Sequence, residues 1–266
     1  ILNDVRKNGD SAVKKYEQKF NGRKTSQLRV SAKEIKDARS KISRKEVTAL
    51  RDMSARLIPR RKILPDPVQW IDAGSIFRKF VPIPSVGCYI PGGQARYPSS
   101  VVMSVQTARK AGVKRIVVVS PPGPDGKIDP LTIVAAKMCG ATEIYKVGGA
   151  QAIGALAYGT KSIPKVDKIV GPGGKFVSIA KSLVSDQTAI DMIAGPTELG
   201  IIADTSSDPD LVALDLISQA EHSKDTMCFV ITQSKAIAKQ IQKSIEKLIR
   251  GTERISIIKE SISKNG

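Results

Sequence analysis

The hydrophobic positions of this chain change their spacing near residue 83. Before that point, Leu2–Phe20 and Ser31–Leu57 carry apolar residues at helical spacing, and Gln27–Val30 between them has the alternation of a short strand. Ser31 stands three positions before Glu34, which is the arrangement of a capping box, so the second helix is predicted to begin at Ser31. The first 82 residues are therefore expected to be mainly helical.

After residue 83, short apolar runs alternate with helical patterns. Apolar, β-branched runs separated by helices indicate a mostly parallel sheet that is covered on both faces. We therefore predict an α/β fold of two Rossmann-like, doubly wound parallel-sheet units with an N-terminal helical segment. The predicted strands are Val86–Ile90, Ile116–Ser120, Glu143–Val147, Lys168–Val170, Leu199–Ala203, Met227–Thr232 and Ile255–Ile258, and the predicted helices are Ser100–Ala111, Pro130–Cys139, Ala150–Tyr158, Lys175–Val184, Pro209–His222 and Ser234–Ile249.

Composition favours a cytoplasmic globular protein over a membrane or secreted one. No apolar run approaches the roughly 18 residues of a membrane span, and the first residues do not resemble a signal peptide. The chain begins at Ile1 and enters a helical pattern directly, so we expect a trimmed N-terminus. Its three cysteines, Cys88, Cys139 and Cys228, are far apart, which favours reduced, buried thiols over disulfides or a zinc cluster.

The formal net charge of +18 raises the possibility of a nucleic-acid partner. Much of the excess lies in residues 1–62, with 19 Lys and Arg against 7 Asp and Glu, on helices whose charged faces are expected to be solvated. Aromatic residues make up only 4% of the chain, which leaves few platforms for base stacking. Charge distribution and composition thus argue against direct binding of nucleic acid.

Glycine- and proline-rich loops follow most of the predicted strands. Four of them, Pro91–Gly93, Ser120–Gly123, Gly148–Gly149 and Gly171–Gly174, come directly after a predicted strand, and a fifth such loop, Ala194–Thr197, lies just before the predicted strand Leu199–Ala203. Any one of them could simply make a tight turn from strand to helix. Five in one sheet favour a phosphate or dinucleotide ligand, because such loops let backbone amides approach an anion. None has the G-x-G-x-x-G spacing of the common dinucleotide fingerprint.

A candidate metal-ligand pair lies at the end of the helix that starts after Asp208. Gln219 and His222 are three residues apart, so on a helix they share one face. An amide oxygen and an imidazole nitrogen at this spacing could bind one zinc ion, although two ligands alone do not hold it. The alternative is that His222 interacts with the helix dipole and binds no metal.

Six further motifs are Gly87–Gly93, Val147–Ile153, Val166–Gly173, Asp191–Glu198, Asp208–Asp210 and Leu216–His222. They resemble motifs of the histidinol dehydrogenase family, in the family's order and across essentially the whole chain. The resemblance implies a zinc- and NAD-dependent dehydrogenase that oxidises L-histidinol to L-histidine, the last step of histidine biosynthesis. It implies two successive hydride transfers to NAD through an enzyme-held aldehyde, with the zinc ion orienting the substrate.

The resemblance also implies a domain organisation. Residues 83–196 would form the NAD-binding Rossmann-like domain, and residues 197–266 would begin a second Rossmann-like unit that carries zinc ligands. The N-terminal segment, residues 1–82, would join this second unit. In the family the active site is completed across a homodimer, so a homodimer is expected of the intact protein.

Residue roles follow from the same motifs. Tyr89 and Gln151 are expected to contact NAD, as is position 174, where Gly174 replaces the asparagine that is usual in the family and removes its side-chain hydrogen bond. Thr197 takes the place of a substrate-contacting serine and keeps the hydroxyl. Gln219 and His222 are expected to bind zinc and to contact the substrate.

The family's catalytic Glu-His pair and its remaining aspartate and histidine zinc ligands would follow Gly266. No catalytic base is therefore assigned within this chain, whose only histidine is His222, and the chain alone is expected to be inactive. Two alternatives stay open: a family member that oxidises another alcohol, such as a sulfonated diol, and an inactive basic protein that binds nucleic acid or acts as a scaffold.

Overall fold

The computed structural model of the chain describes residues 1–22, 27–57, 68–71, 76–92, 96–193 and 198–266. The chain divides into two compact units, Ile1–Ile193 and Ala194–Gly266. The helices are α1 (Leu2–Asn21), α2 (Ala32–Ser40), α3 (Arg44–Leu57), α4 (Pro98–Val101), a π-helical turn (Val102–Gln106), α5 (Thr107–Lys110), α6 (Pro130–Cys139), α7 (Gly149–Tyr158), α8 (Lys175–Val184), α9 (Pro209–Ala220), α10 (Lys235–Leu248), a 3₁₀ turn (Ile249–Gly251) and α11 (Ile255–Asn265). The strands are β1 (Val68–Ile71), β2 (Ile76–Lys79), β3 (Ser85–Tyr89), β4 (Arg115–Ser120), β5 (Glu143–Lys146), β6 (Lys168–Val170), β7 (Ala189–Ile190), β8 (Glu198–Ile202) and β9 (Met227–Ile231).

A five-stranded parallel sheet in the order β5-β4-β3-β6-β7 forms the centre of the first unit. The chain begins this sheet in the middle, at β3, moves outwards through β4 and β5, and returns to the other side of β3 with β6 and β7. This is the strand order of a doubly wound Rossmann-like sheet, and the direction of winding reverses between β3 and β6. The predicted fold class is confirmed.

Two hydrophobic clusters cover opposite faces of this sheet. Alternate residues of β4 divide between them: Val118 belongs to the cluster that includes α6 and the π-helical turn, and Val117 and Val119 belong to the cluster that includes α1 and α7. Such alternation is the direct result of the two-residue repeat of a strand. The N-terminal helices thus contribute to the core of the first unit.

Helix α1 packs against α7 at a close crossing. A Cβ atom on Gly154 of α7 would lie 3.2 Å from the Leu2 side chain and 3.3 Å from that of Val5. Val5 and Val13 are fully buried in the shared cluster. The described helices of residues 1–82 therefore lie on the first unit, whereas we expected this segment to join the second.

The second unit contains the parallel pair β8 and β9, which is covered on one face by α9, α10 and α11. The opposite face carries exposed apolar side chains, among them Ile202 at 85% exposure and Ile231 at 57%. The predicted strand at Ile255–Ile258 is wrong, because these residues begin α11. A run of four mostly apolar residues fits one turn of a buried helix as well as a strand, and Ile258 is fully buried here.

Some of the other predicted elements are confirmed and others are wrong. Ser31 forms the predicted capping box with Glu34, but the helix expected from Ser31 to Leu57 is divided into α2 and α3. Gln27–Val30 forms only an isolated bridge between Arg29 and Tyr145 rather than a strand. The antiparallel pair β1–β2 had no predicted counterpart. Among the described residues, no helix is long and apolar enough to cross a membrane.

Candidate functional site

Four loops meet at the carboxyl edge of the five-stranded sheet. A Cβ atom on Gly92, after β3, would lie 3.0 Å from Oγ of Ser120, which ends β4. A Cβ atom on Gly148, after β5, would lie 2.5 Å from the Pro121 side chain. Ligands of doubly wound sheets bind in the crevice at this edge, at the point where the strand order reverses. Here that point lies between the ends of β3 and β6.

Gly171 lies at the bottom of this crevice. Its φ of 112° belongs to the region that L residues rarely adopt, and a Cβ atom there would lie 2.1 Å from the carbonyl oxygen of Tyr89. Only glycine lets the β6 loop approach the end of β3 so closely. The absence of a side chain at residue 171 thus allows the backbones of β3 and the β6 loop to meet at this site.

Tyr89, the last residue of β3, is 5% exposed. Its hydroxyl oxygen accepts a hydrogen bond of 3.1 Å from the backbone N–H of Gly149, in the loop that starts α7. Burial raises the pKa of the Tyr89 hydroxyl, with a further contribution from the Glu17 carboxyl, so the phenol stays protonated near neutral pH. Tyr89 thereby joins the β3 loop to the β5 loop and keeps a proton available for donation.

Gln151, in the first turn of α7, is 2% exposed. Its Nε2 donates a 2.7 Å hydrogen bond to Oε1 of Glu17, while its Oε1 has no hydrogen-bond partner among the described residues. That oxygen lies 2.9 Å from the position that a Cβ atom on Gly149 would occupy. A buried, unpaired acceptor is costly and points to a ligand or water that donates to it.

An ion pair supports the crevice below Gly171. Lys181 of α8 is 1% exposed, and its Nζ contacts Oδ1 of Asp191 and donates a 3.0 Å hydrogen bond to the carbonyl oxygen of Gly171. The other carboxylate oxygen of Asp191 accepts from the Gly171 N–H at 2.7 Å. Burial acts to raise the pKa of the Asp191 carboxyl, but Lys181 and the backbone donors outweigh it and hold that pKa below its ordinary value.

Gly174 is the N-cap residue of α8 and is exposed. No atom lies within 4 Å of the point where its Cβ would stand, so a side chain there would meet open space. The position lies on the β6 loop, on the same edge of the sheet as Tyr89 and Gly148. The three positions assigned to NAD, at residues 89, 151 and 174, thus all lie at one edge of the sheet.

The predicted metal-ligand pair lies in the second unit. Gln219 is in the last turn of α9, but the helix ends at Ala220, and His222 follows the C-cap residue Glu221. The His222 N–H donates to the carbonyl oxygen of Gln219 at 3.2 Å, which keeps the two residues within one turn. Gln219 is partly exposed and His222 is exposed, so both are accessible to a metal ion. Thr197, the expected substrate contact, lies outside the described residues.

The described residues do not complete a metal site. They contain no group of three or more His, Cys, Asp or Glu side chains that could hold a metal ion. The cysteines are free and buried, as predicted, and burial raises the pKa of Cys88 to about 12 and that of Cys139 to about 11. These thiols stay protonated near neutral pH and are not candidate nucleophiles.

The comparison with known proteins decides the family. Residues 1–266 match the family model described as histidinol dehydrogenase. The chain belongs to the histidinol dehydrogenase family. Its sequence is 45% identical over 272 residues to the histidinol dehydrogenase of Bacillus cereus and 42% identical over 273 residues to that of Methanothermobacter thermautotrophicus. Both alignments cover 100% of this chain, and the resemblance drawn from the motifs is confirmed.

The solved histidinol dehydrogenase of Elizabethkingia anophelis has the same fold, with a TM-score of 0.89 and 35% sequence identity. That alignment covers 98% of this chain and 61% of the crystallised one. Likewise, the chain spans 62% of the length of the Bacillus relative and 63% of the Methanothermobacter relative. The chain thus corresponds to less than two thirds of a family member.

Sequence reasoning missed Glu17, Lys181 and Asp191 as site residues. Glu17 follows the buried Val13 by four positions in α1, and Lys181 follows the buried Val177 by four in α8. A charged residue at helical spacing from the apolar face was the available signal. The role of such a charged residue depends on a partner that is distant in sequence, and the hydrophobic periodicity does not identify this partner.

Proposed function

We propose that the intact protein is a zinc- and NAD-dependent dehydrogenase that oxidises L-histidinol to L-histidine. The reaction would proceed by two successive hydride transfers to NAD through an enzyme-held aldehyde. Family membership supports the reaction. The NAD site is supported by the buried Oε1 of Gln151 at the crevice, which has no hydrogen-bond partner in the described part of the chain. Residues 83–196 would be the NAD-binding domain, and the protein would act in the cytoplasm.

The residues at the crevice fit a dinucleotide. Tyr89 supplies a protonated hydroxyl, and Gln151 supplies an acceptor that lacks a partner among the described residues. The exposed Gly174 leaves room at the N-terminus of α8, where the helix dipole favours a phosphate. When bound, NAD would accept hydride from the substrate carbon. The chain's own residues bind and orient it, and the tight packing at Gly171 and Gly148 keeps the loops in place.

The zinc site is supported by the donor chemistry of two residues. Gln219 and His222 supply an oxygen and a nitrogen donor, which suit zinc, but two donors do not hold it. The described residues contain no three-residue cluster that would complete the shell, so the remaining ligands and the catalytic base would come from beyond the part of the family that this chain spans. Thr197 is proposed to contact the substrate through its hydroxyl.

We also propose that the intact protein is a homodimer. Helix α8 carries exposed apolar residues at helical spacing, with Phe176 at 75%, Ile179 at 46% and Leu183 at 65% exposure. Adjacent exposed apolar side chains of this size favour a protein interface over contact with water. The oligomeric state of the intact protein in solution, measured by light scattering, tests this point.

Activity of the intact protein tests the reaction. We expect two NADH formed for each L-histidinol consumed, with L-histidine as the product. A sulfonated diol offered in its place should give no NADH. Formation of one NADH per substrate with accumulation of free aldehyde, or activity on the diol alone, would contradict the proposal.

Elemental analysis of the intact protein tests the ligand assignment. Glu221 stands beside His222 and is not an assigned ligand, so Glu221→Gln is the matched control. His222→Ala should lower the zinc content after dialysis, whereas Glu221→Gln should retain it. Equal zinc content in the two variants would remove His222 from the ligand set.

A further inference from the structure

We propose that Glu17 is a positioning residue for the dinucleotide: its carboxylate orients the Gln151 amide so that Oε1 is presented to the ligand. The inference rests on the proposed NAD site. It concerns a residue of the N-terminal helix α1, which lies outside every motif that carries the family resemblance. Glu17 would act through Gln151 and through the backbone of the β5 loop.

Three donors converge on the Glu17 carboxylate. Its Oε1 accepts from the backbone N–H of Gly148 at 2.9 Å and from Nε2 of Gln151 at 2.7 Å. Its Oε2 accepts from Nδ2 of Asn21 at 2.6 Å. Two of the three donors belong to the loop and helix turn that form one wall of the crevice. One oxygen of Glu17 therefore fixes both the backbone and a side chain of that wall.

Hydrogen bonding to Glu17 determines which end of the Gln151 amide faces the ligand. A carboxylate only accepts, so it selects the NH₂ end of the amide, and the oxygen is left at the other end. The Gly148 N–H donates to the same Glu17 oxygen, so this oxygen acts as an acceptor and favours the NH₂ group of Gln151, rather than its oxygen, on this side. The ligand group recognised by Gln151 is consequently a donor, such as a ribose hydroxyl or an amide N–H.

The location of Glu17 is unusual for a residue that only attaches a helix. Its side chain is 0% exposed, and none of the described cations forms an ion pair with it. Burial raises the pKa of the Glu17 carboxyl, although its three hydrogen bonds oppose the shift. A buried carboxylate without a cation costs stability, and an apolar residue would attach α1 to α7 at lower cost.

Attachment of α1 is already provided by another residue of the same helix. Asp10 accepts hydrogen bonds from the N–H of Ser162 at 3.2 Å and from its hydroxyl at 2.5 Å. Ser162 lies in the segment after α7, which is not one of the loops that form the crevice. Asp10 therefore shares with Glu17 the role of joining α1 to the rest of the first unit, but its hydrogen bonds go to Ser162 and not to Gln151. This makes Asp10→Asn a matched control.

The experiment is calorimetric titration of NAD⁺ into the 266-residue chain, with the free energy of unfolding measured on each variant. Glu17→Met removes the acceptor while keeping the length of the side chain, and it should raise Kd about tenfold. Glu17→Gln keeps an oxygen for Gly148 and Gln151 and should leave Kd within about threefold of the parent. Asp10→Asn should leave Kd unchanged even where it lowers the free energy of unfolding.

Glu17→Asp extends the test to a variant that keeps the carboxylate. Its side chain is one methylene shorter and cannot reach both donors, so Kd should rise about fivefold if the positioning role is correct. Parental Kd in Glu17→Asp, or equal increases of Kd in Asp10→Asn and Glu17→Met at equal loss of stability, would overturn the positioning role.

Gln151→Met separates this inference from the proposed function. If Gln151→Met weakens NAD⁺ binding while the Glu17 variants do not, only the role of Glu17 is wrong. If Gln151→Met leaves Kd unchanged, the NAD site itself is wrong, and the role of Glu17 fails with it.

Discussion

The Cα atom of Gly171 lies directly against the carbonyl oxygen of Tyr89, so that a Cβ atom at residue 171 would come within 2.1 Å of that oxygen. The contact joins the ends of β3 and β6, the two strands between which the winding of the sheet reverses. Ligand crevices of doubly wound sheets form at this point, and here the crevice depends on two backbones being in contact. A side chain at residue 171 should therefore affect both the fold and the binding of NAD.

Gly171→Ala should lower the free energy of unfolding by about 1–3 kcal/mol from backbone strain, with a further loss as the β6 loop moves away from Tyr89. It should also weaken NAD⁺ binding. Gly126→Ala is the control, because Gly126 has a φ of 76° but no atom within 4 Å of its Cβ position. Chemical denaturation and calorimetric titration check both effects. If the two variants lose the same stability and bind NAD⁺ equally well, the contact with Tyr89 is unimportant.

The Lys181–Asp191 ion pair should make the free energy of unfolding depend on pH. Because the pKa of Asp191 lies below its ordinary value in the folded chain, the pair stabilises the fold above the usual aspartate range of about 3.9. That stabilisation is lost as the pH falls through the lower, folded-state pKa. Asp191→Asn should therefore be less stable than the parent at neutral pH, and the difference should shrink in acid.

Lys181→Met should lower the free energy of unfolding by about 2 kcal/mol at neutral pH. This loss is smaller than that expected for a fully buried ion pair, because the Asp191 side chain is 29% exposed. Urea denaturation at a series of pH values measures both variants. Asp186→Asn removes an exposed carboxyl of the same segment and serves as the control for net charge. A constant difference in unfolding free energy between the parent and Asp191→Asn from neutral to acid pH would contradict the assigned ion pair.

Gly174→Asn should strengthen NAD⁺ binding. The Cβ position is open, the φ of −67° suits any residue, and asparagine is a favourable N-cap residue for α8. One added hydrogen bond to the dinucleotide would lower Kd about threefold to tenfold. Gly174→Ala adds a side chain without polar groups and should give no gain. Calorimetric titration compares the two, and an equal Kd for both would exclude residue 174 as an NAD contact.

Much of the fold was predictable because its signals are local. Ser31 and Glu34 formed the predicted capping box, and the helix predicted at Lys175–Val184 has those bounds in the structure. The failures also have local causes. Ile255–Ile258 is too short for its hydrophobic period to distinguish a strand from a helix. Gln27–Val30 does lie along β5, where Leu28 and Val30 form backbone hydrogen bonds with Lys146 and Ile144, but the pairing extends to only one bridge, at Arg29.

The candidate site was predictable only in part. The family motifs singled out Tyr89, Gln151 and Gly174, and the structure places all three residues at one edge of the sheet. The sequence could not reveal that Glu17 contacts Gln151, because the two are separated by 134 positions and meet only through the packing of α1 on α7. Periodicity marks a charged residue on a buried face, but the identity of its partner comes from tertiary structure.

Hydrogen–deuterium exchange of the chain with and without saturating NAD⁺ tests the proposed NAD site most directly. Backbone amides of residues 89–92, 148–151 and 171–175 should exchange more slowly with NAD⁺, because these loops form the crevice at the ends of β3, β5 and β6. Amides of residues 198–266 should be unchanged. Unchanged exchange in all three loops at saturation, or slower exchange confined to residues 198–266, would contradict binding of NAD at this edge of the sheet.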